Sequence, residues 1–289
     1  MIPRIRVRHS LCVSLLTAAL FVPDMHPMAA ADPESGSTAA DLVKSSRVLV
    51  IAHRGDSKAY PENTLPAFES AVKIGSDLVE LDYVHTADGV LLVLHDKTLD
   101  RTTNAGELWG GRDILVKKKR LDDLRELDAG SWFDARFCDV RLPTLEESLS
   151  VIQAGSVTLI ERKAGDAATC VKLLEEKGLL EQVVVQSFDW NFIRDCRRLA
   201  PNLTLAALGY DPIREEHLEK ISQLGVQAIG WDHKQMNADW IEAIHQRGLR
   251  AWVYTVDDMT RVQQLIDAGI DGIITNVPAE TKKVVGAGS

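Results

Sequence analysis

The chain contains 289 residues, of which 45% are hydrophobic and 26% charged, and its formal net charge at pH 7 is −9. This composition is typical of a globular protein with enough apolar material for a core. The acidic balance argues against a nucleic-acid binder, because such proteins hold phosphate backbones mainly through Lys and Arg. The acidic charge does not argue against a small phosphate ester as the substrate, because a bound cation can reverse the local electrostatic field of an acidic site.

The amino-terminal segment has the organisation of an export signal. Three arginines within residues 4–8 precede an apolar run over residues 10–22, and Ala29–Ala31 supplies the small residues that a signal peptidase prefers. The run is shorter than the roughly 20 apolar residues that a stable membrane span needs. We therefore predict a signal peptide over residues 1–31, export to the periplasm or the medium, and no stable membrane span in the mature chain.

Residues 32–46 are rich in Ala, Ser, Asp and Gly, which predicts a flexible leader before a folded domain over residues 47–289. The domain contains Cys138, Cys170 and Cys196, and none of them belongs to a CxxC pair or a Cys/His motif typical of zinc sites. We interpret them as small buried hydrophobic residues. The sequence leaves the pairing of any disulfide open.

From Val48 onward, short runs rich in β-branched residues alternate with amphipathic segments at helical spacing. The runs predicted as strands are Val48–Ala52, Leu78–Leu81, Ser156–Glu161, Val183–Gln186, Leu203–Leu208, Ala228–Gly230, Ala251–Tyr254 and Gly272–Thr275. The clearest predicted helices are Leu65–Ile74, Ala167–Lys177, Trp190–Leu199, Glu215–Leu224, Ala238–Arg247 and Met259–Ala268. This alternation predicts an α/β fold, a closed TIM (β/α)8 barrel, with a doubly wound open sheet as the alternative.

One stretch departs from the alternation. Val90–His95 is strand-like, and residues 97–143 then contain only one modest helical pattern, Leu121–Leu127. Segments of that length without regular structure are usually functional or disordered. The sequence therefore predicts a small insertion after the second barrel strand.

Acidic side chains follow two of the predicted strands, where TIM barrels place their reacting groups. Glu80 and Asp82 lie two residues apart on an extended segment, so their carboxylates point to the same face and need a proton or a cation between them. Glu161 ends the next barrel strand. Three converging carboxylates favour a hard cation, either Mg²⁺ or Ca²⁺. The alternative is a buried ion network in which these acids pair with Arg54 and Lys163.

Two histidines, His53 and His95, also lie at the ends of strand-like runs. Cleaving a phosphodiester requires a base for the nucleophile, an acid for the leaving alkoxide and positive charge around the phosphoryl oxygens. Two imidazoles, a divalent cation, Arg54 and Lys163 would supply all three. The strand ends therefore indicate phosphodiester hydrolysis.

Several motifs, in order along the chain from Val48 onward, resemble those of the glycerophosphodiester phosphodiesterase family. They are His53-Arg54-Gly55, Pro61-Glu62-Asn63-Thr64, Glu80-Leu81-Asp82, His95-Asp96, Asp100-Arg101-Thr102-Thr103, Pro143-Thr144-Leu145-Glu146-Glu147, Glu161-Arg162-Lys163, Gln186-Ser187-Phe188 and Asp271–Pro278. The resemblance implies a metal-dependent hydrolase of lipid metabolism on a TIM barrel with a small insertion. Its small-molecule substrates would be glycerophosphodiesters, cleaved to sn-glycerol 3-phosphate and an alcohol after attack by the neighbouring glycerol hydroxyl or by water.

The resemblance also implies a role for each candidate site residue. The ligands of one divalent cation, Ca²⁺ or Mg²⁺, would be Glu80, Asp82 and Glu161. The other site residues would be the general acid–base pair His53 and His95, the substrate- or phosphate-binding Arg54, Lys163, Phe188 and Tyr254, and the supporting Asn63, Asp96 and Gln186. Two positions depart from the family pattern, because Tyr254 follows Trp252-Val253 where a Trp-Thr pair is frequent, and Asn276 replaces a frequent Asp.

Two other functions are compatible with the sequence. A lysophospholipase D-type enzyme would need an apolar groove for an acyl chain, which could be lined by Trp132, Phe133, Phe188 and Trp231. A non-catalytic phosphoester-binding barrel would be expected to have lost a metal ligand or an acid–base residue, and this chain retains all of them. The sequence does not indicate an oligomeric state.

Overall fold

The computed structural model describes residues 38–287, in which eight parallel strands close into a barrel. The strands are β1 (Leu49–Ala52), β2 (Leu78–His85), β3 (Leu91–Val93), β4 (Val157–Arg162), β5 (Val183–Ser187), β6 (Thr204–Gly209), β7 (Ala228–Asp232), β8 (Arg250–Tyr254) and β9 (Gly272–Thr275). All except β3 belong to the barrel, which closes because β1 pairs with both β2 and β9. The predicted TIM barrel is confirmed, and the open sheet is wrong.

Most helices follow a barrel strand and cover the outside of the sheet, whereas the first precedes the barrel and the third and fourth belong to the insertion. They are α1 (Ala39–Lys44), α2 (Leu65–Ile74), α3 (Ala105–Trp109), α4 (Leu121–Leu124), α5 (Leu145–Ile152), α6 (Ala167–Glu176), α7 (Trp190–Leu199), α8 (Glu215–Ser222), α9 (Ala238–His245), α10 (Met259–Asp267) and α11 (Pro278–Ala287). The predicted helices agree with α2 and α6–α10 to within two residues at each end. Helices α5 and α11 were not predicted, although a capping box between Thr144 and Glu147 marks the start of α5.

Each barrel strand presents alternate side chains to two apolar layers. Val79 and Ile160 belong to the layer between sheet and helices, whereas Leu78, Leu159 and Val184 belong to the layer inside the barrel. Because side chains alternate along a strand, residues two and four positions after these inner residues continue the inner face toward the carboxyl ends. Those positions are Glu80, Asp82, Glu161, Lys163, Gln186 and Phe188. The polar residues therefore lie directly above an apolar barrel floor.

Helix α1 closes the amino-terminal end of the barrel. Its Ala39 and Val43 are buried in the same apolar layer as Leu49 and Trp252. The backbone N–H of Ala39 donates to the carbonyl of Glu181 at 2.8 Å. These contacts fix the helix against the barrel floor.

The prediction of a flexible leader is therefore wrong for residues 38–46. A capping box between Thr38 and Asp41 starts the helix, and Ala39, Leu42 and Val43 give this polar segment one apolar side. The packed domain therefore includes residues 38–46, ahead of the predicted boundary at residue 47. The predicted signal peptide and residues 32–37 lie outside the described residues.

The predicted insertion, between β2 and α5, is confirmed and folds around its own apolar cluster. The cluster contains Val84, Leu92, Leu94, Leu99, Ala105, Val116, Leu124, Leu127, Ala129 and Leu142. Strand β3 pairs antiparallel with the outer part of β2. The chain then runs back along β2, and the N–H of Leu94 donates to the carbonyl of Asp82 at 3.0 Å, which brings His95 close to Asp82.

The remaining sequence features concern cysteines and membrane spans. Cys170 and Cys196 are buried, as predicted, whereas Cys138 is exposed, and all three are free thiols. Burial raises the pKa of the Cys170 thiol to about 12. Within residues 38–287, no helix has the length and apolar character needed to cross a membrane.

Candidate active site

Three buried carboxylates converge at the carboxyl end of the barrel. Asp82 and Glu161 are direct partners across β2 and β4, and Glu161 is in turn the partner of Gln186 on β5. One oxygen each from Glu80, Asp82 and Glu161 lies within 4.8 Å of the others. Among residues 38–287, Oε1 of Glu80 has no hydrogen-bond partner, although it is buried. Such an oxygen is available to a cation.

The proximity of these acids changes their protonation. Burial, with the charges of Asp82 and Glu161, raises the pKa of Glu80 well above its ordinary value. Burial and Asp82 also raise the pKa of Glu161, to about 7. The pKa of Asp82 is lowered instead, because Lys163 and Arg54 outweigh the opposing effect of its burial. Without a cation the cluster therefore favours binding of a proton, as expected for like charges held together.

Arg54 lies in a tight turn directly after β1. Its φ is 56°, in the left-handed region, and its backbone N–H donates to Oε2 of Glu80 at 2.8 Å. Its Nε lies 3.2 Å from Oδ2 of Asp82. The next residue, Gly55, has φ 84°, and a Cβ there would lie 2.7 Å from the backbone of Ala67, so only glycine fits this turn.

Lys163 and Asn63 reach the carboxylates from either side. The ammonium of Lys163 lies 3.2 Å from Oδ1 of Asp82 and forms a second ion pair with Glu161. The Nδ2 of Asn63 donates to Oδ2 of Asp82 at 2.8 Å, while the N–H of Asp82 donates to Oδ1 of Asn63 at 3.1 Å. This reciprocal pair fixes the position of Asp82. Gln186 is buried beside Glu161, and its Oε1 has no hydrogen-bond partner among residues 38–287.

His53 is held by the barrel wall. Its Nδ1 lies 2.7 Å from Oδ1 of Asn276, and Nδ2 of Asn276 donates to Oδ2 of Asp257 at 2.7 Å. Since that amide nitrogen donates to Asp257, the amide oxygen faces His53, so Nδ1 of His53 carries the hydrogen. Its Nε2 has no hydrogen-bond partner among residues 38–287. Burial, with the charge of Arg54, lowers the pKa of His53 to about 4.

His95 is held by the insertion. Its Nδ1 lies 2.6 Å from Oδ1 of Asp96. A hydrogen bond from Arg101 lowers the pKa of Asp96 to about 2. The ionised carboxylate can only accept, so Nδ1 again carries the hydrogen and Nε2 is free. Partial burial lowers the pKa of His95, with Asp82 opposing this change.

Aromatic residues adjoin the charged groups on one side. The Lys163 ammonium lies 5.8 Å from the ring centre of Phe188. The Phe188 ring lies 5.9 Å from the rings of Tyr210 and Tyr254. The Tyr254 hydroxyl donates to the carbonyl of Gly209 at 2.6 Å, so this side chain presents its ring rather than a free hydroxyl.

The structure brings all of the sequence-predicted site residues to this end of the barrel. Four residues without a predicted role also contact the site through hydrogen bonds. They are Glu62, Arg101, Asn276 and Asp257. Glu62 and Arg101 were visible only as parts of family motifs. Asn276 could have been found from alternation, because it follows the inner residue Ile274 by two positions.

A closed barrel whose mouth combines buried carboxylates, two oriented histidines, an arginine and a lysine is typical of an enzyme that cleaves phosphoesters. Comparison with known proteins defines the class further. Residues 53–280 match the model of the glycerophosphoryl diester phosphodiesterase family. The chain belongs to this family.

Individual relatives agree with this assignment. A glycerophosphodiester phosphodiesterase of Bacillus subtilis is 34% identical over 275 residues, which cover 87% of this chain and 91% of the relative. One from Caldanaerobacter subterraneus is 34% identical over 239 residues, covering 80% and 95%. A phosphodiesterase of Oleispira antarctica, solved with the product sn-glycerol-3-phosphate, superposes with TM-score 0.76 at 25% identity, covering 84% of this chain and 99% of that structure.

Proposed function

We propose that the protein hydrolyses glycerophosphodiesters to sn-glycerol 3-phosphate and an alcohol, with one divalent cation held by Glu80, Asp82 and Glu161. The observation that carries this proposal is the convergence of three buried carboxylates beside two histidines that each keep one ring nitrogen free. Family membership and the bound product of the Oleispira relative support the substrate class.

The carboxylates fit a hard divalent cation in their chemistry and arrangement. Carboxylate oxygens are the ligands that Mg²⁺ and Ca²⁺ prefer. The buried Oε1 of Glu80 has no hydrogen-bond partner among residues 38–287. Burial, together with the neighbouring carboxylates, raises the pKa values of Glu80 and Glu161, and a bound cation would offset this cost of ionisation. When bound, the cation would offset negative charge on the phosphoryl oxygens and on the oxygen that develops charge during cleavage.

The side chains around the cation site bind the substrate and transfer protons. Arg54 and Lys163 attract the phosphodiester and orient it. One histidine accepts a proton from the attacking hydroxyl or water, and the other donates a proton to the leaving alkoxide. Both free Nε2 atoms belong to rings fixed by a partner on Nδ1. Phe188 and Tyr254 then form the wall against which the organic part of the substrate lies.

The aromatic residues considered for an acyl groove separate into different environments. Trp132 and Phe133 pack together on the insertion, whereas Phe188 pairs with Tyr210 and Tyr254 beside Lys163. Trp231 is buried, with its N–H donated to the carbonyl of Asp211. Phe188 and Trp231 line one cavity of about 260 Å³, and Trp132 and Phe133 are not part of its lining. The four aromatic residues therefore do not form one continuous groove, which favours a compact, deacylated substrate over a lysophospholipid.

The test is release of glycerol 3-phosphate from glycerophosphocholine by residues 32–289. We expect EDTA to lower turnover by about 100-fold or more and added Ca²⁺ or Mg²⁺ to restore it, because the charge of the cation is lost and regained. A Glu80→Gln variant should need more cation for the same rate. Glu107→Gln, on helix α3 of the insertion, is the matched control.

Lysophosphatidylcholine provides the second arm of this test. Turnover of the lysolipid without turnover of glycerophosphocholine would replace the proposed substrate class with a lipid. Failure of both substrates with every cation, by a folded protein, would favour a non-catalytic barrel. Full activity in EDTA, with no cation bound, would contradict the cation site.

We also propose that the protein is exported after removal of residues 1–31. The basic head, apolar run and small residues of this segment support the proposal. Amino-terminal sequencing of protein recovered outside the cytoplasm should begin near Asp32. Recovery of the uncleaved chain in the cytoplasm alone would contradict export.

A further inference from the structure

Arg101 forms a double bridge between two loops at the mouth of the barrel. Its Nε and Nη2 donate to the two oxygens of Asp96 at 2.7 and 3.2 Å. Its Nη1 and Nη2 donate to the two oxygens of Glu62 at 3.0 and 2.8 Å. One guanidinium thus binds two carboxylates in bidentate fashion, which its planar fork of donors permits and an ammonium does not.

Each of these carboxylates also holds a side chain of the proposed active site. Oε1 of Glu62 accepts from Nη1 of Arg54 at 2.8 Å. Oδ1 of Asp96 lies 2.6 Å from Nδ1 of His95. These hydrogen bonds connect five side chains in a row, in which the charges of neighbouring groups alternate. The row runs through Arg54, Glu62, Arg101, Asp96 and His95. The phosphate-contacting arginine and one acid–base histidine therefore share a single support.

Arg101 has little capacity left to bind a substrate. A guanidinium offers five N–H groups, and the hydrogen bonds to Glu62 and Asp96 use four of them. The bridge also crosses between separate parts of the chain, because Arg101 belongs to the insertion and Glu62 to the loop between β1 and α2. Its position suits support rather than contact with the reacting atoms.

We infer that Arg101 and Glu62 are positioning residues, which orient Arg54 for the phosphodiester and hold the Asp96–His95 pair in its working geometry. This inference rests on the proposed function, and it makes the insertion part of the catalytic unit. The set Glu62, Arg101 and Asp96 is called the Arg101 bridge below.

Loss of Arg101 has a defined electrostatic consequence. The Asp96 carboxylate would lose its compensating charge and would hold the proton of His95 more strongly. Arg54 and Lys163 favour the neutral form of His95, and Asp82 and Asp96 favour the charged form. Without Arg101 this balance shifts toward the charged form, so the pKa of His95 rises. A general acid with a raised pKa loses activity at a higher pH and releases its proton less readily.

The experiment compares Arg101→Gln, Arg101→Lys and Glu62→Gln with wild type on glycerophosphocholine. We expect kcat of Arg101→Gln to fall by about 10- to 100-fold, as outer-shell losses typically do, with a much smaller change in KM. The basic limb of its kcat–pH profile should move to higher pH. Arg101→Lys should fall between Arg101→Gln and wild type, because it keeps the charge without the double fork. Glu62→Gln should reduce activity through Arg54, chiefly in KM.

Arg125→Gln is the matched control, because Arg125 lies on the same insertion and its guanidinium pairs with Glu147, away from the Arg101 bridge. It should keep the wild-type kcat and pH profile. An inactive wild type would count against the proposed function, not against the bridge. With an active wild type, the inference is overturned by an unchanged kcat in Arg101→Gln. An unmoved basic limb, or an equal loss in Arg125→Gln, would also overturn it by showing a merely structural role.

Discussion

His53 and His95 occupy similar places in the sequence but are oriented by different chemistry. His53 lies in the barrel wall and bonds a neutral amide, Asn276, which Asp257 fixes from behind. His95 lies at the base of the insertion and bonds an ionised carboxylate, Asp96. Both rings keep Nε2 free, so the two partners fix the same tautomer with different charge.

This difference separates the proton affinities of the two rings. Burial and Arg54 lower the pKa of His53 to about 4, although Asp82 and the hydrogen bond to the neutral amide of Asn276 oppose the shift. At His95 the hydrogen bond that Nδ1 donates to Asp96 opposes the lowering of the pKa. Groups whose environments differ in this way commonly divide into base and acid. We therefore expect His53 to be the base and His95 the acid, and three sets of substitutions sharpen this comparison.

The largest effect is expected from removing either ring. His53→Ala and His95→Ala should each lower kcat by roughly 100- to 10,000-fold, because a general base or acid is lost from the transition state. Steady-state kinetics on glycerophosphocholine, with thermal unfolding to confirm the fold, measure this loss.

His245→Ala is the matched control for both variants. His245 also bonds a carboxylate, with Nε2 2.7 Å from Asp271, but this pair lies at the amino-terminal end of the barrel strands. Its removal should leave kcat unchanged. Turnover close to wild type in His53→Ala or His95→Ala would remove that residue from the acid–base pair.

The second effect is expected from Asp96→Asn. Arg101 donates to both oxygens of Asp96, so an asparagine would turn its single oxygen toward Arg101 and its amide nitrogen toward His95. His95 would then adopt the other tautomer, and kcat should fall by about 100-fold or more. Loss of the negative charge also lowers the pKa of His95, so the basic limb should move to lower pH.

This direction is opposite to that expected for Arg101→Gln, so the two variants together test the sign of the electrostatic argument. Asp139→Asn provides the control, because Asp139 is an exposed acid of the same insertion, with 94% of its side chain accessible. A basic limb that moved to higher pH in Asp96→Asn would contradict the assignment of His95 as the acid.

The smallest effect is expected from exchanging the partners of His53 in the double variant Asn276→Asp, Asp257→Asn. The exchange keeps a hydrogen-bonded pair but places the negative charge against His53. Its pKa should rise by roughly one unit or more, and a base with a raised pKa loses activity at a higher pH. The acidic limb of kcat/KM should therefore move upward, while the maximum rate changes by less than about tenfold. An unmoved acidic limb would argue against His53 as the base.

Alternation along the strands explains why so much of the site could be predicted. Glu80, Asp82 and Glu161 continue the inner face begun by Leu78 and Leu159, so a period of two locates them without any knowledge of the fold's details. Gly-terminated amphipathic segments located the helices in the same way. Local periodicity is thus sufficient to predict the barrel and the positions of its carboxylates.

Contacts between loops could not be predicted in this way. Glu62 and Arg101 are 39 residues apart. No periodicity in the sequence relates the loop after β1, which contains Glu62, to the part of the insertion that contains Arg101. The helix over Ala39–Lys44 was missed for a different reason, because its polar composition concealed two buried residues, Ala39 and Val43. Such features depend on tertiary packing, which local sequence does not encode.

Helix α1 affects the stability of any recombinant form of this protein that lacks the amino-terminal residues. Ala39 and Val43 cover the apolar interior of the barrel at its amino-terminal end. A recombinant chain that begins at Val48 would lose about 2–4 kcal/mol of burial free energy and admit water beneath Leu49 and Trp252. The layer exposed in this way also contains Leu78 and Leu159, which lie directly beneath the carboxylates. Truncation at the amino-terminal end should therefore destabilise the support of the active site at the opposite end.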